Sequence, residues 1–230
     1  MSHDVNPKSS TGALKAAIFD YGGVMSFSPL WRVRILAEAM EVPEEIFAKT
    51  IFGPPAEGES NPWHEAECGR QAIDEIFAQK MQDRLTPYGA RFDLDVFLPW
   101  VAEAINQPDP EMVQVVKELR AKKFPVGLLT NAVREFRPVI ERTVPIYELF
   151  DVIVDSSEVG MRKPDRSIYD LTARQLGVRN SECLMIDDLE ANVVGAEEAE
   201  MHGLVFEDSR TTALKIRRHF NLQDDPMKEI

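Results

Sequence analysis

AAIFDYGGVMSFSP, residues 16–29, is the stretch whose reading decides the fold. Four residues without charge, Ala16 to Phe19, lead to a lone carboxylate, Asp20, which is followed by Tyr21, Gly22, Gly23 and Val24. A short apolar run without alternation suits a strand buried on both faces, as in a parallel sheet. The acid and the two glycines then read as a reactive group delivered to a loop.

Outward from this stretch the same pattern recurs. LKAAIF (14–19), PVGLLT (125–130), DVIVDS (151–156), ECLMID (182–187) and the weaker GLVFE (203–207) are the strand candidates. Helical spacing fills the gaps: EMVQVVKELRAKK (111–123), DRSIYDLTARQLG (165–177) ending on Gly177, and EANVVGAEEAEMHG (190–203) closed by Gly203. Strand and helix alternate, which predicts an α/β chain: a Rossmann-like, three-layer α/β/α parallel sheet with ligands beyond the carboxyl ends of its strands.

Residues 30–105 break the pattern. WRVRILAEAM, EEIFAKTIF, RQAIDEIFAQKMQDRL and LDVFLPWVAEAI are helical patches, with Pro54, Pro55, Gly58, Pro62 and Gly69 punctuating the loops. The predicted organisation is a disordered leader at 1–13, a core of 14–29 and 107–223, an inserted all-helical domain at 30–106 and a tail at 224–230.

Composition narrows the partners. The chain of 230 residues is 44% hydrophobic and 28% charged and has no run that could span a bilayer as a helix. Its formal charge of −13 repels a phosphate backbone, so neither nucleic acid nor membrane is expected as a partner, whereas a small anion at one locally basic site is compatible. No signal-peptide core opens the chain, and Cys68 and Cys183 lack metal-ligand spacing. The expectation is a cytoplasmic protein with two structural thiols; nothing in the sequence assigns an oligomeric state.

The polar residues collect at the predicted strand ends. Asp20 ends the first, Thr130 and Asn131 the second, Lys163 lies in EVGMRKPD after the third, and Asp187 and Asp188 end the fourth. In this ordered set, FDYGGV, LLTN, RKP and IDD followed by Asn192, the chain resembles the haloacid dehalogenase-like hydrolase superfamily. It is similar to the subclass whose helical cap is inserted between the first and second motifs. FDYGGV and PWHEAECG (62–69) look most like the group holding the phosphatase half of soluble epoxide hydrolases and a sugar-1-phosphate phosphatase.

The roles can be argued from chemistry beside the resemblance. Asp20 is the expected nucleophile, able to split a phosphoryl transfer into two steps through an aspartyl-phosphate. Attack of one anion on another calls for a hard cation, and the oxygen-only set Asp20, Asp187 and Asp188 points to Mg²⁺. The resemblance implies that Asp188 meets the metal directly, Asp187 directly or through water, and Gly22 through its backbone carbonyl. Thr130 and Lys163 are the expected phosphate binders, with Lys163 also catalytic. Asn131 joins the phosphate-binding set, and Arg134 and Asn192 are supporting candidates.

One element of the resemblance is missing. The acid that usually follows the nucleophile by two residues is here Gly22, which costs a proton donor commonly worth about 10²–10⁴ in rate. Three explanations stay open: a leaving group that hardly needs protonation, a substitute acid among His64, Glu65 and Glu67, or a domain that no longer turns over. Tyr21, Phe27, Trp31 and Trp63 either line an apolar or sugar-stacking pocket or simply pack. The expected function is hydrolysis of a small phosphorylated metabolite. The alternatives are a 2-haloacid dehalogenase with Asp20 attacking carbon, and a non-catalytic phosphate-binding domain.

Overall fold

Five parallel strands lie side by side in the order β3-β2-β1-β4-β5. They are β1 (Ala16–Phe19), β2 (Val126–Thr130), β3 (Val152–Asp155), β4 (Cys183–Asp187) and β5 (His202–Val205). The structure is a computed structural model and describes residues 13–28, 33–54 and 60–222. The expected leader (1–13, of which only Ala13 is described) and tail (224–230), with Trp31, Pro55 and Gly58, lie outside the described residues.

The apolar runs lack alternation because both faces of the sheet are covered. Ala17, Phe19, Val126, Leu128, Leu184 and Ile186 face one core, shared with α6 (Pro110–Ala121), α7 (Arg137–Thr143), α8 (Ile146–Leu149) and α12 (Ser209–His219). Ala16, Ile18, Leu129, Cys183 and Met185 face the other, shared with α10 (Arg166–Leu176) and α11 (Glu190–Glu198). Successive residues thus enter opposite layers, as the two-residue period of a strand requires. The result is the α/β/α sandwich that the alternation predicts.

Between β1 and α6 come, among the described residues, five α-helices and no named strand: α1 (Val33–Ala39), α2 (Glu44–Ile51), α3 (Pro62–Glu67), α4 (Glu75–Leu85) and α5 (Leu94–Ile105). Aromatic rings hold this part together, with Phe97 meeting Trp63 at 5.5 Å and Phe92 at 5.3 Å between centroids. Carboxylates start several helices: Asp74 accepts from Phe77 N–H, so α4 begins five residues later than RQAIDEIF suggests, and Asp93 and Asp109 cap α5 and α6. α3 is opened by Asn61, whose side chain accepts from Trp63 N–H.

One boundary is corrected. Gly203 does not close a helix: α11 ends at Glu198, Glu200 takes the left-handed turn at φ 70°, and Gly203 lies inside β5. Its missing side chain is a packing requirement, since a Cβ there would stand 2.5 Å from Val193 Cγ1. The short α7, α8 and α9 (Ser156–Val159) are not marked by the sequence pattern. No helix among the described residues is long and apolar enough to cross a membrane.

Candidate active site

Asp20 follows directly on β1, and its N–H still bonds to Ile186 O at 2.9 Å, so the sheet fixes its backbone. The chain then reverses sharply, because Tyr21 O accepts from the N–H groups of both Met25 and Ser26 at 2.9 Å. This brings Gly23, at φ 86°, against the next acid. A Cβ on Gly23 would lie 2.1 Å from Asp188 Oδ2, so only glycine fits. Gly22 leaves bare backbone on the cavity wall.

Lys163 is wholly buried and its three N–H donors have three acceptors: Asp20 Oδ1 at 2.8 Å, Asp187 Oδ2 at 2.6 Å and Leu129 O at 3.0 Å. Asn131 fixes the loop that carries it. Its amide accepts from Lys163 N–H at 2.9 Å and donates to Lys163 O at 3.0 Å. Asp187 is equally engaged, since its Oδ1 accepts from Leu189 N–H at 2.9 Å and Asn192 Nδ2 at 3.0 Å. Tyr169 in turn donates to Asn192 O at 2.7 Å.

One carboxylate oxygen from each of Asp20, Asp187 and Asp188 lies within 4.8 Å of the others. With Lys163 they leave two negative charges uncompensated in a buried place, and the pKa directions follow. Burial pushes Asp20 above the usual carboxylate range; Lys163 pulls it back, and Asp187 and Asp188 push it further up. Asp188 is pushed up to about 6, by burial first and then by Asp187. Burial works against the Lys163 ammonium, but the charges of Asp187 and Asp20 outweigh it and hold its pKa above the ordinary value. An oxygen-seeking divalent cation is the group whose charge and ligand preference fit this donor set.

A cavity opens onto Asp20, Gly22, Thr130, Asn131, Lys163 and Asp188. Asp187 stands behind its wall with no exposed surface. Arg134 is turned away, donating to Ser157 O. Of His64, Glu65 and Glu67, Glu67 alone lines the cavity, accepting from Trp63 Nε1 and from Arg162 Nε at 2.8 Å each. Its pKa is raised, burial outweighing Arg162.

His64 instead bonds Phe52 O through Nε2, which must therefore carry the proton, and burial lowers its pKa. Glu65 pairs with Arg70. Arg162, one residue from the RKP lysine, is the partner that the motif reading leaves unassigned. Of the aromatic candidates, Tyr21 and Trp63 border the cavity, while Phe27 is half exposed elsewhere.

Comparison with known proteins adds a family to this geometry. The family model of haloacid dehalogenase-like hydrolases matches residues 14–200. The sesquiterpene phosphatase astK of Aspergillus oryzae is 27% identical across 89% of this chain and 95% of its own length. Acyl-CoA dehydrogenase family member 10 of Mus musculus is 30% identical across 87% of this chain, which spans 18% of that longer protein. A HAD-family enzyme of Bacteroides thetaiotaomicron, crystallised with magnesium and inorganic phosphate, shares the fold with a TM-score of 0.55 at 20% identity, over 85% of this chain and 97% of that one.

Proposed function

The chain belongs to the haloacid dehalogenase-like hydrolases, and from that premise we propose that it is a Mg²⁺-dependent phosphatase acting through an aspartyl-phosphate on Asp20. The observation that carries this reading is the cluster itself: a strand-end carboxylate 2.8 Å from a buried ammonium, crowded by two further acids. A dehalogenase attacking carbon gains nothing from two extra carboxylates.

Asp20 and Asp188, with the Gly22 carbonyl, would hold the cation, and Asp187, whose oxygens are already engaged, stands behind them. When bound, the cation supplies charge neutralisation for the phosphoryl group. An Asp20 oxygen adds to phosphorus while the ester P–O bond breaks, and the departing alkoxide takes up one proton to become the alcohol. Water then attacks the aspartyl-phosphate, releasing inorganic phosphate and restoring Asp20.

Thr130 offers its hydroxyl to the transferring group, and Asn131 serves phosphate binding by holding the Lys163 loop. The proton that Gly22 cannot supply is assigned to Glu67, the single ionisable side chain that α1 to α5 contribute to the cavity among the described residues. Those helices act as a cap that excludes bulk water.

Phosphate release from acetyl phosphate and a panel of monoesters tests the reading, with Mg²⁺, with chelator and with Asp20→Asn. Turnover that vanishes with chelator and falls at least about 10³-fold in the variant is expected. Release that survives both changes, or chloride release from 2-chloropropionate in place of phosphate release, would refute it.

A further inference from the structure

One of the related proteins is named a sesquiterpene phosphatase, and the apolar part of the cavity lining points to a leaving group of the same kind. The lining includes six apolar residues, Phe52, Val101, Ile105, Val133, Phe136 and Ile140. None of these offers a side-chain hydrogen bond.

Of the polar side chains that line the cavity, Asn131, Asn192, Glu67 and Tyr21 are hydrogen-bonded within the protein; Ser28, Thr130 and Arg162 line it as well, Arg162 donating to Glu67 through Nε. Asn131 has its carbonyl and amide on Lys163, and Asn192 donates to Asp187. Glu67 accepts on both oxygens, from Trp63 and from Arg162. Tyr21 donates its hydroxyl to Ile105 O at 3.1 Å. A sugar set against the apolar residues of this lining would bury hydroxyls against carbon, which selects against such a ligand.

We propose that the substrate is the phosphate monoester of an apolar alcohol, a hydrocarbon or aryl-alkyl body rather than a sugar, a conclusion that rests on the phosphatase reading above. The cavity of about 150 Å³, which the phosphate shares, is on the scale of the dry protein cavity that admits benzene. Phosphate sits at Asp20 and Lys163, and the hydrocarbon lies along α5, α7 and Phe52. This departs from the sugar-1-phosphate expectation, because Trp63 has its one donor on Glu67 and its neighbours in the wall are aliphatic or phenyl.

The test is calorimetric binding of non-hydrolysable phosphonates to the wild-type protein with Mg²⁺, using methylphosphonate, benzylphosphonate and a glucosyl methylphosphonate. Benzylphosphonate binding at least about tenfold tighter than either of the others is the expected result. Equal affinities, or a preference for the sugar, would overturn the proposal. Val133→Asn, which puts an amide into the wall, should narrow the gap between the benzyl and glucosyl compounds at least about threefold. An unchanged gap in the folded variant counts against the assignment of that wall, and the wild-type series decides alone if the variant does not fold. Acetyl phosphate, which has almost no leaving-group body, separates the two readings. If it is not hydrolysed while the phosphonate ranking holds, the phosphatase reading fails and the ligand class stands.

Discussion

The two ends of the central sheet use the same residue types to opposite effect. At the carboxyl end of the strands Asp20, Asp187 and Asp188 share one ammonium, and Asp20 and Asp188 are pushed toward their protonated forms. At the other end each acid has its own cations and backbone donors. Glu182 meets Arg179 and Lys15 at 2.8 Å and accepts from Arg179 N–H, which holds it down at about 2. Asp151 similarly joins Arg120 at 2.7 Å to Val126 N–H at 2.9 Å. Where the fold needs closing, charges are matched; where chemistry is proposed, like charges are crowded and await an ion and a substrate.

Glu67 sharpens the contrast, because it comes from the helices between β1 and α6 yet behaves like the acids at the carboxyl end of the strands. Burial raises its pKa above the ordinary 4.5, so it keeps its proton to higher pH than a free carboxyl, and activity that needs that proton falls as pH rises through the raised value. Glu67→Gln should lower kcat on an alkyl phosphate about 10²-fold and remove that descending limb. Acetyl phosphate, whose leaving group needs no proton, should be hydrolysed within about twofold of wild type. Equal losses on both substrates would make Glu67 a packing residue and leave Gly22 uncompensated.

Asp188 tests the crowding itself. Asp188→Asn keeps the shape beside Gly23 while removing one of three neighbouring charges, so in chelator the variant should be more stable than wild type, by about 1 kcal/mol in urea unfolding. Mg²⁺ should then raise the melting temperature of the wild type and do so far less for the variant. A variant less stable than wild type in chelator would mean that the acids are not in conflict, and the contrast between the two ends would fail.

How much of this the sequence discloses depends on what each signal needs. β1, β2 and β4 are legible because burial on both faces leaves a run that no amphipathic element produces, whereas the half-exposed β5 leaves a weaker one; Asp20, Thr130 and Asp187 are legible because each stands at the end of a buried run. Asn131 is visible as a polar group, but its use as a brace for Lys163 depends on a loop 32 residues away. PWHEAECG places His64, Glu65 and Glu67 within four positions, and the phase of a six-residue helix, which the sequence does not specify, decides that Glu67 faces the cavity. Gly203 misleads for a related reason: a glycine required by helix-on-strand packing carries the same letter as one that ends a helix. The apolar wall is least legible, since its residues come from α5, α7 and two loops that only the fold brings together.

The smallest effect lies at the opposite end of the sheet. Glu182 has its pKa depressed by the Arg179 side chain first and then by Lys15, so its contribution is complete above the ordinary 4.5 and is lost as pH falls toward about 2. Glu182→Gln should therefore lower the melting temperature slightly at pH 7, and the gap between the two proteins should close as the acid range is crossed. Lys15 and Arg179 are largely exposed, with 60% and 77% of their side chains in solvent, so 0.5 M salt should take away much of the difference. A variant with wild-type stability at pH 7 and an unchanged acid slope would show that this end is held by its backbone alone. The contrast would then reduce to the carboxyl end of the strands, where the charges are buried and salt cannot reach them.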